Sequence, residues 1–212
     1  MPRGRFLSLE GGEGAGKSTQ ARALAAALRE RGVETVVTRE PGGSAGAEAI
    51  RALLLEGEAG RWSARAETLL FAAARADHVE KVIGPALDAG RWVICDRYVD
   101  STRAYQGVAG GIADADVLAL HAFGSKGLFP ERTFLLTVAP DIGAARAAER
   151  DRGATDRFAS RDDAFHVAVA AAFATFDRLA EGEPERFRRI DAAQAPEAVT
   201  AAMLAELADW LP

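Results

Sequence analysis

Phe6-Leu7-Ser8-Leu9-Glu10 runs directly into Gly11-Gly12-Glu13-Gly14-Ala15-Gly16-Lys17-Ser18, and that junction decides the fold. The apolar run reads as a buried strand ending in a glycine-rich turn. Ser18 to Arg31, with Ala21, Leu24, Ala25 and Leu28 at helical spacing, reads as the helix that follows. The eight turn residues match G-x-x-x-x-G-K-[ST] completely. The chemistry explains the residue types: triphosphate oxygens need several converging backbone N–H donors, and small residues let the main chain come close. The helix start adds unpaired N–H groups and a positive dipole end. Lys17 would reach the β- and γ-phosphates and the Ser18 hydroxyl would bind Mg²⁺. A carboxylate at Glu13 would repel the triphosphate, so it is expected to point toward a hydrogen-bond donor such as a sugar hydroxyl on a second substrate.

Outward from this junction, short apolar runs alternate with helical patterns. Val33 to Arg39 reads as a second strand, Arg91 to Cys95 as a third, Thr133 to Val138 as a fourth and Phe187 to Ile190 as a fifth. Helical periodicity covers roughly 46–55, 64–89 and 196–210, and Glu40-Pro41-Gly42-Gly43 is a turn signal. Strands alternating with helices predict an α/β fold, a parallel five-stranded sheet with helices on both faces. Ligands in such folds bind at the carboxyl ends of the strands.

The 212 residues fit one domain, 1–212, and 26 Lys and Arg against 31 Asp and Glu leave a formal charge of −5. That balance speaks against gripping long nucleic acid by phosphate neutralisation. With 49% hydrophobic and 27% charged residues the composition is that of a soluble globular chain, and its most apolar stretch, 168–174, is too short to span a bilayer. The single Cys95 leaves no disulfide framework or multi-cysteine metal site. The opening MPRGRFLSLEGG turns to Gly and Glu before an apolar core forms, so a cytoplasmic location is expected.

Trp92-Val93-Ile94-Cys95 delivers Asp96-Arg97-Tyr98, a strand tip carrying a carboxylate suited to a hydrated Mg²⁺. The Arg97 guanidinium could bridge two phosphate groups. The chain contains no Asn, which removes the Asn-Lys-x-Asp guanine reader of nucleotide switches. A small-molecule kinase needs arginines that neutralise the transferred phosphoryl group, and Arg146, Arg150, Arg152, Arg157 and Arg161 cluster at about 146–161, where a mobile lid is expected. A solvated helical face laced with ion pairs is the bland alternative. Phe71 and Arg75, four apart, share one helix face, where a base could stack on the ring and bond the guanidinium. Asp100 to Gln106 supplies hydrogen-bonding groups and the Tyr105 ring for an acceptor pocket whose ligand the spacing does not name.

Together these residues resemble the thymidylate kinase family. The matching pieces are residues 10–19, Thr-Arg-Glu-Pro-Gly-Gly at 38–43, Phe71 with Arg75, Asp-Arg-Tyr at 96–98 with Ser101, Ala-Tyr-Gln at 104–106, and Arg150-x-Arg152 with Asp156-Arg157. The resemblance implies a three-layer P-loop kinase fold, MgATP and dTMP as substrates, dTDP and ADP as products, and a homodimer built through helices. By position, residues 11–19 (Gly11, Gly12, Glu13, Gly14, Ala15, Gly16, Lys17, Ser18, Thr19) would hold ATP, and Ser18 and Asp96 the metal. Glu13 would approach the dTMP 3′-hydroxyl, and Arg39 and Arg97 its phosphate. Phe71 would stack on thymine, Arg75 with Ser101 or Thr102 would bond its edge, Tyr105 would crowd the 2′ position and Gln106 would complete the pocket. Gly14 stands where some members carry a loop arginine, so neutralisation falls to the lid, with Arg150, Arg152 and Arg157 left open. A binding switch that hydrolyses ATP slowly, and a deoxynucleoside kinase, are the competing functions. Paired Arg39 and Arg97 weigh against the second, since a neutral acceptor needs less cationic clamping.

Overall fold

The computed structural model describes residues 2–58, 60–151, 157–158, 161–176, 183 and 185–211. Five parallel strands, β1 (Phe6–Glu10), β2 (Thr35–Arg39), β3 (Trp92–Asp96), β4 (Arg132–Thr137) and β5 (Phe187–Asp191), form one sheet in the order β2-β3-β1-β4-β5. The expected α/β class and parallel five-stranded sheet are what the chain adopts. β1 lies at the centre because both of its faces are buried: Leu7 and Leu9 point to one layer, Phe6 and Ser8 to the other.

The helices follow from apolar spacing. α1 (Lys17–Arg29) buries Ala21, Leu24, Ala25 and Leu28 against Leu7, Leu9 and Phe134, joined by Met203 of α9 (Pro196–Ala205). The opposite face is covered by α3 (Ala64–His78), its wider-turned continuation Val79–Ile83 and α4 (Gly84–Asp88), which place Val79, Ile83 and Leu87 on Phe6, Val93 and Cys95. The remaining helices are α2 (Ala45–Leu55), α5 (Val99–Thr102), α6 (Asp114–Gly124), α7 (Pro140–Asp151) and α8 (Asp163–Ala174). Phe165, Val169 and Phe173 of α8 join Tyr105, Phe158, Phe176 and Phe187 in a third, aromatic cluster.

Two segments differ from expectation. The pattern over 64–89 reads as one helix, but it widens into π-type turns at Val79–Ile83. Pro85 has no N–H and its ring crowds the carbonyl four residues back, which the wider turn accommodates. The second is the terminal helix, which stops at Ala205 rather than Trp210. Trp210 instead packs edge-on to Trp92, with Arg132 over its ring at 3.9 Å.

Candidate active site

The strand register sets the site. Leu9 and Arg39 both pair with Asp96, so the tips of β1, β2 and β3 end at one level. Above them opens a cleft of about 1170 Å³. Its lining includes Glu13, Gly14, Gly16, Lys17, Ser18 and Thr19 from the loop, and Arg39, Phe71, Arg75, Asp96, Arg97, Ser101, Thr102, Tyr105 and Gln106. Residues drawn from five separate stretches of sequence thus meet at one place.

The loop closes on its own lysine. Lys17 Nζ donates to the carbonyls of Gly11 at 3.0 Å and Gly12 at 2.6 Å. Burial, with Arg97 nearby, pushes its ammonium down to about 7, against the pull of Asp96, Glu10 and Glu13. Gly11 and Gly12 thus meet the lysine through their carbonyls, and Ala15 is buried; none of the three is among the residues lining the cleft. Gly14, at φ 67°, has no room for a side chain: a Cβ would stand 2.0 Å from the carbonyl oxygen of Gly143 in α7. The Ser18 hydroxyl donates to Asp96 Oδ2, so a helix-start hydroxyl and a strand-tip carboxylate converge. That oxygen pair fits a magnesium ion, which takes one or two protein oxygens and completes its shell with phosphates and water.

Arg97 lines the cleft and ties the loop to the stretch at 101–105. It adopts φ 67°, a left-handed backbone conformation uncommon for a residue with a side chain. Its Nη1 donates to Ser101 Oγ at 3.1 Å and Gly11 O at 3.3 Å, and Nη2 to the Tyr105 hydroxyl at 3.1 Å. Ser101 in turn donates to Glu10 Oε2 at 2.6 Å, and Glu10 Oε1 accepts the Tyr98 N–H at 2.7 Å. Burial first, then the nearby Asp100 carboxylate, raises Glu10 to about 8. Asp100 and Arg103, inside the stretch expected to form the acceptor pocket, turn away into a buried ion network with Arg186.

At the other end, Arg75 is buried beside Glu40 and Thr102, while Phe71 meets Phe158 edge-on at 5.8 Å. Gln106 Nε2 donates to Glu67 Oε1 at 2.8 Å. Arg39, half exposed, pairs with Glu48 at 3.0 Å.

The lid arginines divide. Arg146 lines the cleft and donates to Ala192 O at 2.9 Å. Arg150 lies in α7 with its side chain outside the described set, and Arg152 falls outside the described residues. Arg157 differs from the expectation of a group facing the transferred phosphoryl. It is buried away from the cleft lining, donating from Nε to Leu54 O at 2.8 Å and from Nη2 to Glu67 Oε2 at 2.6 Å. The attraction of a buried carboxylate holds it there, and Arg161 joins the same oxygen at 2.7 Å.

Sequence reading missed Glu10, Glu40, Glu67 and Arg51 as contributors. Arg51 of α2 lines the cleft with Nη1 on Pro41 O at 2.6 Å. Its only signal is a cation two turns into a helix after the Pro-Gly-Gly turn.

A family model described as thymidylate kinase matches residues 9–203 of the chain. The chain belongs to the thymidylate kinase family. A thymidylate kinase of Rhizorhabdus wittichii is 59% identical over the full length of both chains. One from Caulobacter vibrioides is 50% identical, covering 96% of this chain and 95% of its own. Among solved structures, the thymidylate kinase of Ehrlichia chaffeensis superposes with a TM-score of 0.75 at 32% identity, over 98% of this chain and 99% of that one. Family membership makes the protein an enzyme of the P-loop kinase fold. Among the described residues, no helix is long and apolar enough to cross a membrane.

Proposed function

We propose that this cleft transfers the γ-phosphoryl group of ATP to dTMP, giving ADP and dTDP for dTTP synthesis. The observation that carries the reading is the meeting of the phosphate loop with Arg97, Phe71 and Arg75 in one cleft. Loop amides, Lys17 and Thr19 hold the triphosphate. Ser18 and Asp96 would hold Mg²⁺, which supplies charge neutralisation on the phosphates when bound. Arg39 and Arg97 receive the acceptor phosphate, Phe71 stacks on the base, Arg75, Ser101 and Thr102 read its edge, and Glu13, Tyr105 and Gln106 surround the sugar and close the pocket. The acceptor monoester has a second pKa of about 6, so it arrives ionised and no strong base is needed. Acceleration then comes from alignment and from cations already in place.

We further take residues 1–212 as one kinase domain with a lid at about 146–161, acting in the cytoplasm as a homodimer. Arg146 and the side chains of Arg150 and Arg152 are assigned to charge neutralisation. Arg157, bound to Glu67, is assigned instead to holding the acceptor side of the pocket.

The deciding measurement is ADP release with a panel of acceptors. Turnover is expected to be fastest with dTMP; equal or faster turnover with dCMP, AMP, GMP or unphosphorylated thymidine overturns the acceptor, and ADP release indifferent to dTMP overturns the kinase reading. Arg97→Ala is expected to lower kcat with dTMP by about 100-fold, as for a contact made in the transition state.

A further inference from the structure

Thr38-Arg39-Glu40-Pro41-Gly42-Gly43 borders the acceptor half of the cleft, yet only Arg39 has a part in the reaction above. We propose that Glu40 is a positioning residue for base selection: acting through Arg75, it sets the cleft to take a carbonyl rather than an amino group at the base edge. The inference rests on the acceptor being a pyrimidine nucleoside monophosphate.

Arg75 is locked on three sides. Its Nε donates to Glu40 Oε2 at 2.7 Å, its Nη2 donates to Thr102 Oγ1 at 2.8 Å, and its plane lies over the Tyr98 ring at 5.1 Å. Nη1 makes no hydrogen bond among the described residues, and Arg75 borders the cleft. A guanidinium can only donate. Held in one orientation, it meets a carbonyl as a partner and an amino group as a second donor with nothing to accept.

Glu40 is itself fixed from behind. Both it and Arg75 are at most 5% exposed, and His78 is fully enclosed. Glu40 Oε1 accepts from His78 Nδ1 at 3.0 Å, and His78 Nε2 shares a hydrogen bond with the Thr38 hydroxyl at 2.7 Å. The chain Thr38–His78–Glu40–Arg75 therefore joins the tip of β2 to the end of α3. Gly43 makes room for it: a Cβ there would stand 2.3 Å from His78 Nε2 and 2.5 Å from Thr38 Oγ1. Thr38, Glu40 and Gly43 of one short stretch thus serve a single orientation.

The test compares dTMP with dCMP, whose base carries an amino group in place of the 4-carbonyl, and takes 5-methyl-dCMP alongside because dCMP also lacks the methyl group. In Glu40→Gln, kcat/KM for dTMP is expected to fall about 10- to 100-fold, mainly through KM, as for loss of one charged hydrogen bond. The preference for dTMP over dCMP should narrow by about tenfold, while KM for ATP stays within about twofold. In an Arg75→Lys background the same change should add less than about threefold, because the two residues act as one unit. Equal losses on both acceptors, or additive effects with Arg75→Lys, overturn the proposal. Should Glu40→Gln not fold, Thr38→Val is expected to narrow the preference about threefold from the far end of the chain, and an unchanged preference overturns it. A wild-type protein that uses dCMP as well as dTMP overturns the acceptor reading itself, whereas full preference retained in Glu40→Gln overturns only the part given to Glu40.

Discussion

His121 lies inside α6 with one ring nitrogen engaged and one not. Nε2 donates to Leu128 O at 3.0 Å, while Nδ1, buried, has no hydrogen-bond partner among the described residues. Phe129 and Tyr98 meet the ring edge-on at 4.6 and 5.6 Å. A second proton would have nothing to donate to. Burial, helped by the Arg75 charge, pushes His121 from 6.5 down to about 4. Between those values the unfolded chain binds a proton that the folded one refuses, so stability falls as pH drops from 6.5 toward 4 and is fully present above 6.5. The loss amounts to about 3 kcal/mol. Denaturant unfolding across this range is expected to show a steeper acid decline for the wild type than for His121→Gln; equal slopes would refute the assignment.

At the scale of elements, Glu67 ties α3 to two other segments. One carboxylate accepts from Gln106 in the wide-turned stretch Arg103–Val108 and from Arg157 and Arg161. Glu67→Gln keeps the shape but leaves guanidinium groups without their counter-charge. The expected cost is about 3 kcal/mol of stability, read by urea unfolding, together with a higher KM for dTMP because one amide oxygen cannot serve both Gln106 and the two arginines. A variant with unchanged stability would show that Arg157 and Arg161 find their support elsewhere. The strand tips were legible beforehand because motif and periodicity are local: residues 6–18 alone place β1, the loop and α1. Glu67 and Glu40 were not, since their partners stand 35 to 94 residues away and only the folded register brings them together. Sequence also placed Arg157 with the lid, where its real neighbour, buried Glu67, leaves no periodic signal.

Over the whole molecule, the described surface carries apolar side chains on two helices packed against each other. Phe123 of α6 is 90% exposed and Leu69 of α3 55%. A homodimer joined through these helices would cover both. Phe123→Asp is therefore expected to shift the protein from dimer to monomer in sedimentation equilibrium, with the fold retained by circular dichroism. A wild type that sediments as a monomer would rule the dimer out. The sheet order β2-β3-β1-β4-β5 serves the same large-scale end: it sets β1 in the middle, so the loop after it is flanked by strands contributing Arg39 and Asp96 from one side and by α7 from the other.

The left-handed backbone of Arg97 carries an evolutionary cost. Glycine would relax that position, but it would delete the guanidinium in the cleft together with its bonds to Ser101, Gly11 and Tyr105. An unstrained main chain and a working guanidinium therefore make opposite demands on this codon, and only the reaction explains why the strained residue is there.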